Sequence, residues 1–246
     1  MDKQRQEQGQ GLVEYALIAS LVALVAILIL NILGVSLQDI FISVVRTFQG
    51  EGQPTASEET STTLFSDDFE DGLGNWKLLD EWFWKDQAKT EDGNLELGKL
   101  SAIINDDIDS DDYIINVNDV SMKKTGNNWN GFGVFFRTND ASNLDAYIFE
   151  VEKVNKWDNG NIYFRKWENG NQLSKPLASI TVPASFDWSN PGDIQVRVEG
   201  DTFTASIDGE QILQATDSSF SSGGVGLASN FGSKLTVDDI EVISIP

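Results

Sequence analysis

Carboxylates are the first chemistry this chain offers. The stretch Asp106-Asp107-Ile108-Asp109-Ser110-Asp111-Asp112 packs five of them into seven residues. Within it, Asp107, Asp109 and Asp111 have the one-three-five spacing with which a loop wraps oxygen ligands around Ca²⁺. Asp112 stands where such a loop wants glycine, and no glutamate closes it. A second set, Asp67, Asp68 and Asp71 with Asp238 and Asp239, comes together if the first and last strands of the C-terminal region lie side by side. In that case Asp67 and Asp239 are candidate metal ligands, and calcium is the one cofactor these acids suggest.

The seven tryptophans and four tyrosines offer a second chemistry, because apolar sugar faces stack on aromatic rings. Trp82, Trp84, Trp129, Trp157, Trp167 and Trp188 lie beside polar turns, and Trp129 sits in Asn127-Asn128-Trp129-Asn130, whose amides suit hydroxyl groups. Trp129, Trp157 and Trp167 are therefore candidate ligand-binding residues; the alternative for each is core packing. Histidine and cysteine are both absent. That removes the common zinc ligands, the histidine-activated nucleophiles and any disulfide framework. The formal net charge of −22 repels phosphate backbones, so nucleic acid is not an expected partner.

A third carboxylate has a different setting. Glu14 opens a run from Leu12 to Leu33 in which Glu14, Tyr15, Ser20 and Asn31 alone interrupt aliphatic or small residues. As a helix this run is about 33 Å long, enough to cross a bilayer's hydrocarbon core. A charge in such a segment needs a partner, and the next basic residue after it is Arg46. If the chain were cut after Gly9, Gln10 would carry a new α-amino group, and Glu14, fifth in the mature chain, could meet the amine of a neighbouring copy.

Beyond Leu33, Val35, Leu37, Ile40, Phe41, Val44, Val45 and Phe48 recur at helical spacing among polar residues, which predicts an amphipathic extension. Residues 50–63 are rich in Gly, Ser, Thr and Glu and read as a flexible linker. From Leu64 the pattern changes to short β-type runs. These are Tyr113–Val120, Phe132–Arg137, Tyr147–Val154, Ile162–Trp167, Ile194–Val198, Phe203–Ile207, Gly224–Ala228 and Leu235–Ile243. Asp92-Gly93, Asn169-Gly170 and Asp208-Gly209 punctuate them as turns. The expected fold is thus a long N-terminal transmembrane and assembly helix followed by an all-β sandwich, or jelly roll.

Two resemblances sharpen this. Gly9-Gln10-Gly11-Leu12-Val13-Glu14-Tyr15-Ala16-Leu17-Ile18 resembles the leader junction of the Flp (Tad, type IVb) pilins. The resemblance implies cleavage after Gly9 by a prepilin peptidase and assembly through Glu14 and Tyr15. It also implies residence in the cytoplasmic membrane as a precursor, then in an extracellular pilus built with copies of itself or other pilins. The domains expected are a leader (1–9), an assembly helix (10–49), a linker (50–63) and a β-sandwich (64–246). The main alternative is a monomeric, membrane-anchored, lectin-like surface protein.

The second resemblance rests on Phe65-Ser66-Asp67-Asp68-Phe69-Glu70-Asp71-Gly72 with Trp76, on Gly131-Phe132-Gly133-Val134-Phe135-Phe136-Arg137, and on Asp145-Ala146-Tyr147-Ile148-Phe149-Glu150-Val151. Gly223-Gly224-Val225-Gly226-Leu227 with Val237-Asp238-Asp239-Ile240 completes it. Together these phrases are similar to concanavalin A-like (LamG-type) jelly rolls, which implies a β-sandwich able to bind glycans. Glycanases of that fold carry a Glu-x-Asp-x-x-Glu strand. Here Glu150-Val151-Glu152-Lys153-Val154-Asn155 keeps the first acid, lacks the Asp and ends in Asn155. The expectation is therefore a solvated strand face near Lys153 and Lys156, and a protein that is not an enzyme.

Overall fold

The computed structural model describes residues 61–79, 88–108, 110–125, 130–139, 141–153, 159–230 and 232–245, all within the unit Ser61–Pro246. The expected leader site Gly9 and Gln10, the helix with Glu14 and Tyr15, and linker residues 50–60 lie outside the described residues. So do Asp109, Trp129 and Trp157.

The described residues contain strands and no helix. In chain order they begin with β1 (Thr63–Asp67), β2 (Lys77–Leu78), β3 (Ala88–Glu91), β4 (Asn94–Leu97), β5 (Ser101–Asn105) and β6 (Tyr113–Lys124). There follow β7 (Asn130–Thr138), β8 (Ala146–Lys153), β9 (Asn161–Glu168), β10 (Asn171–Gln172), β11 (Ala178–Thr181) and β12 (Gly192–Glu199). The last are β13 (Thr202–Ile207), β14 (Glu210–Thr216), β15 (Gly224–Ser229), β16 (Ser233–Val237) and β17 (Asp239–Ser244). A nine-stranded sheet runs β14-β13-β12-β6-β16-β4-β3, with β17 on β6 and β1 on β17; an eight-stranded sheet runs β10-β9-β8-β7-β15-β5-β2, with β11 on β9.

Local sequence explains much of this. Asn169 and Gly170 both take positive φ, 51° and 72°, as do Asp208 and Gly209, 50° and 76°. This pairing matches the twist of a tight hairpin, so β9–β10 and β13–β14 close there. The run Leu235–Ile243, expected as one strand, is two. β6 is long enough to pair with β17 over Tyr113–Asn118 and with β16 over Ser121–Lys124. Between those stretches Asp119 adopts φ 50°, and the neighbouring strand breaks at Asp238.

Between the sheets lies the main core. Phe132, Val134, Phe136, Phe149, Ile162, Phe164 and Leu227 from the eight-stranded sheet meet Ile115, Val117, Val196, Val198, Phe203, Val237 and Val242 from the nine-stranded one. Side chains alternate across a strand, so the intervening residues of the eight-stranded sheet point away from this core. There Ala102, Ile104, Phe135, Ala146, Ile148, Trp167 and Ala228 form a second buried apolar cluster. This outward face carries the polar constellation described next.

Candidate functional site

Glu150 of β8 sits opposite Tyr163 of β9, and Arg165 stands two residues along the same strand, on the same face. The Arg165 guanidinium lies over the Tyr163 ring, 3.9 Å from its centroid. Its Nε is 3.3 Å from Glu150 Oε2, an ion pair without the direction of a hydrogen bond, and its Nη2 is 3.9 Å from Glu152 Oε2. Arg165 Nη1 donates to the carbonyl of Ser174 at 3.1 Å.

Two amides complete the shell of Glu150. Gln172 Nε2 donates to Glu150 Oε2 at 3.0 Å, and Asn230 Nδ2 donates to Oε1 at 3.3 Å. Glu150 is 6% exposed. Burial pushes its carboxyl above the usual range, and the charge of Arg165 and the amides of Asn230 and Gln172 oppose that rise. The expectation of a solvated face near Lys153 and Lys156 is corrected here. Glu150 is a buried carboxylate paired with a cation, Arg165, from the next strand.

Trp167, a sequence candidate for ligand stacking, is buried at 9% exposure and meets Phe135 edge to face at 5.9 Å. It packs within the apolar cluster beside the site, which is the alternative that its sequence left open. The residues that sequence reasoning missed are Tyr163, Arg165, Gln172 and Asn230. A signal for the first two was present: in Ile162–Trp167 the apolar positions Ile162 and Phe164 alternate with Tyr163 and Arg165, which places that pair on the wet side.

The acidic residues assemble elsewhere. β1 pairs antiparallel with β17, Asp67 opposite Ile240, as the expected side-by-side placement of first and last strands requires. A cavity of about 610 Å³ there is lined by Asp67, Asp68, Asp71, Asp238 and Asp239 among others. Asp67 already accepts from Phe69 N at 2.8 Å, Trp76 Nε1 at 2.9 Å and Asn75 Nδ2 at 3.2 Å. Asp239 accepts from Asn118 Nδ2 at 2.7 Å, and burial pushes its carboxyl up, helped by Asp238, Asp119 and Glu241.

Asp107 is exposed and its N–H donates to Asn105 Oδ1, while Asp111 offers its backbone carbonyl to Arg137 Nη2 at 2.9 Å. Among the described residues no group of three or more Asp or Glu is placed to hold one metal ion.

No family model matches the chain, and no curated protein matches it. Solved structures do. The laminarinase catalytic domain from Thermotoga maritima is 11% identical with a TM-score of 0.55, the match covering 76% of this chain and 100% of that one. A Bacillus licheniformis β-glucanase is 14% identical, TM-score 0.54, with the same coverages of 76% and 100%. The carbohydrate recognition domain of Emp47p is 11% identical, TM-score 0.53, over 77% of this chain and 99% of that one. The described unit therefore has the jelly-roll β-sandwich fold of these proteins.

These matches also correct the expectation that the protein is not an enzyme. That inference rested on one strand and its missing acids, whereas the whole sandwich has the fold of endo-β-glucanases.

Proposed function

We propose that the jelly roll is a glycan-recognition head for β-glucan chains, displayed outside the cell by a pilin-type N-terminal segment processed after Gly9. The observation that carries the reading is the outward face of the eight-stranded sheet. There the Tyr163 ring, the carboxylates of Glu150 and Glu152 and the amides of Gln172 and Asn230 gather, with Arg165 lying over the ring. Sugar recognition needs these parts: a ring for the apolar face of a pyranose and fixed donors and acceptors for its hydroxyls. Proteins of this fold whose names mention β-1,3- and β-1,3-1,4-glucans make those polymers the first probes.

The test is affinity electrophoresis of the full chain in gels containing β-1,3-glucan or β-1,3-1,4-glucan. Retarded migration that is lost in Tyr163→Ala supports the site; unchanged migration in both polymers overturns it. The same incubations assayed for new reducing ends read hydrolysis, for which Glu150 and Glu152, two residues apart on one strand face, are the carboxylates to substitute.

A further inference from the structure

We propose that Arg165 is an autoinhibitory latch, lying on the Tyr163 ring in the place a sugar ring would take. The inference rests on the glycan reading above and concerns its regulation. At 3.9 Å from the centroid the guanidinium carbon is in van der Waals contact, so the covered face of Tyr163 has no room for a second planar or ring-shaped group. Three groups hold Arg165 in that position: Glu150 Oε2 at 3.3 Å, Glu152 Oε2 at 3.9 Å and the Ser174 carbonyl at 3.1 Å. None of the three is on the Tyr163 side chain. The arginine is thus positioned by its neighbours and only rests on the ring.

A ligand that stacks on the covered face of Tyr163 must first displace this contact, which weakens binding by the strength of one cation–π pair. Removing the guanidinium should therefore raise affinity about three- to thirtyfold.

Arg165→Ala alone leaves the Glu150 carboxylate without its cation, so the test pairs it with Glu150→Gln, which removes the charge together with its counter-charge. Titration calorimetry with β-1,3-glucan oligosaccharides should show the double variant binding more tightly than Glu150→Gln alone, the comparison in which only the guanidinium differs. Adding Tyr163→Ala to the double variant should abolish the gain. Binding by wild type with no tightening from Glu150→Gln to the double variant overturns the latch and leaves the glycan reading standing, as does a gain that persists without the Tyr163 ring. Absence of binding in wild type and double variant alike overturns both.

Discussion

The indole of Trp76 donates to Asp67 Oδ2 at 2.9 Å, and the same carboxylate caps the N–H of Phe69 through its other oxygen. Trp76 in turn meets Phe65 edge to face at 5.5 Å and Phe69 at 5.9 Å. One acid thereby fixes the end of β1, the turn after it and the aromatic corner of the core. Asp67→Ala should lower unfolding free energy by about 1–3 kcal/mol, since a buried indole N–H loses its partner. Urea denaturation with and without calcium checks it, and the loss is expected to be the same in both.

Arg137 supports the second prediction. Although 2% exposed, it donates to the carbonyls of Phe220, Asp111 and Gly200 at 2.8, 2.9 and 2.6 Å, with Asp112 at 3.9 Å and the Phe203 ring at 5.5 Å. Its planar fork ties three loops at one end of the sandwich. Arg137→Ala should cost about 3–5 kcal/mol in the same assay. Arg137→Lys keeps the charge but not the fork and should recover only part of that loss.

Much of this architecture was legible beforehand, for a physical reason. β12 and β13 each have one wet face, so Ile194-Gln195-Val196-Arg197-Val198 and Phe203-Thr204-Ala205-Ser206-Ile207 alternate and announce themselves as strands. β5 is buried at all five positions, and β7 carries Phe135 and Phe136 on opposite buried faces, so alternation says nothing there. The site was less legible than the fold. Glu150 meets Arg165 across the β8–β9 register and Asn230 from beyond β15, and no spacing within one segment encodes such meetings.

Glu150 gives the third prediction, a pH dependence with a definite sign. Its carboxyl is raised in the folded protein chiefly by burial. The folded state therefore binds this proton more tightly than the unfolded chain does. Glu150 favours folding most below the ordinary glutamate range, and that contribution is lost as pH rises through its raised value. Thermal denaturation of wild type and Glu150→Gln between pH 4 and pH 8, a window set by ordinary carboxylate behaviour, about 4.3 for glutamate, should show it. The variant should gain stability relative to wild type as pH increases.

The fourth prediction concerns the N-terminal segment. Glu14→Ala should still enter the membrane and be cut after Gly9, yet should fail to join filaments, because the amine of Gln10 in a neighbouring copy would lose its counter-charge. Mass spectrometry of the envelope protein and electron microscopy of sheared surface material read the two parts separately. A mature chain beginning at Met1, or normal filaments from the variant, would refute the assembly step.

The pairing of β1 with β17 has a mechanical consequence. From Thr63 opposite Ile243 to Asp67 opposite Ile240 the two strands run antiparallel, and Thr62 and Ser244 exchange two further bonds, at 2.9 and 2.8 Å. Tension entering along the chain at residue 62 acts lengthwise on this ribbon, so its rungs share the load and resist shearing as a group instead of parting one by one. Residue 62, where the chain enters the β-sandwich, is thus also the place where its first and last strands are laced together.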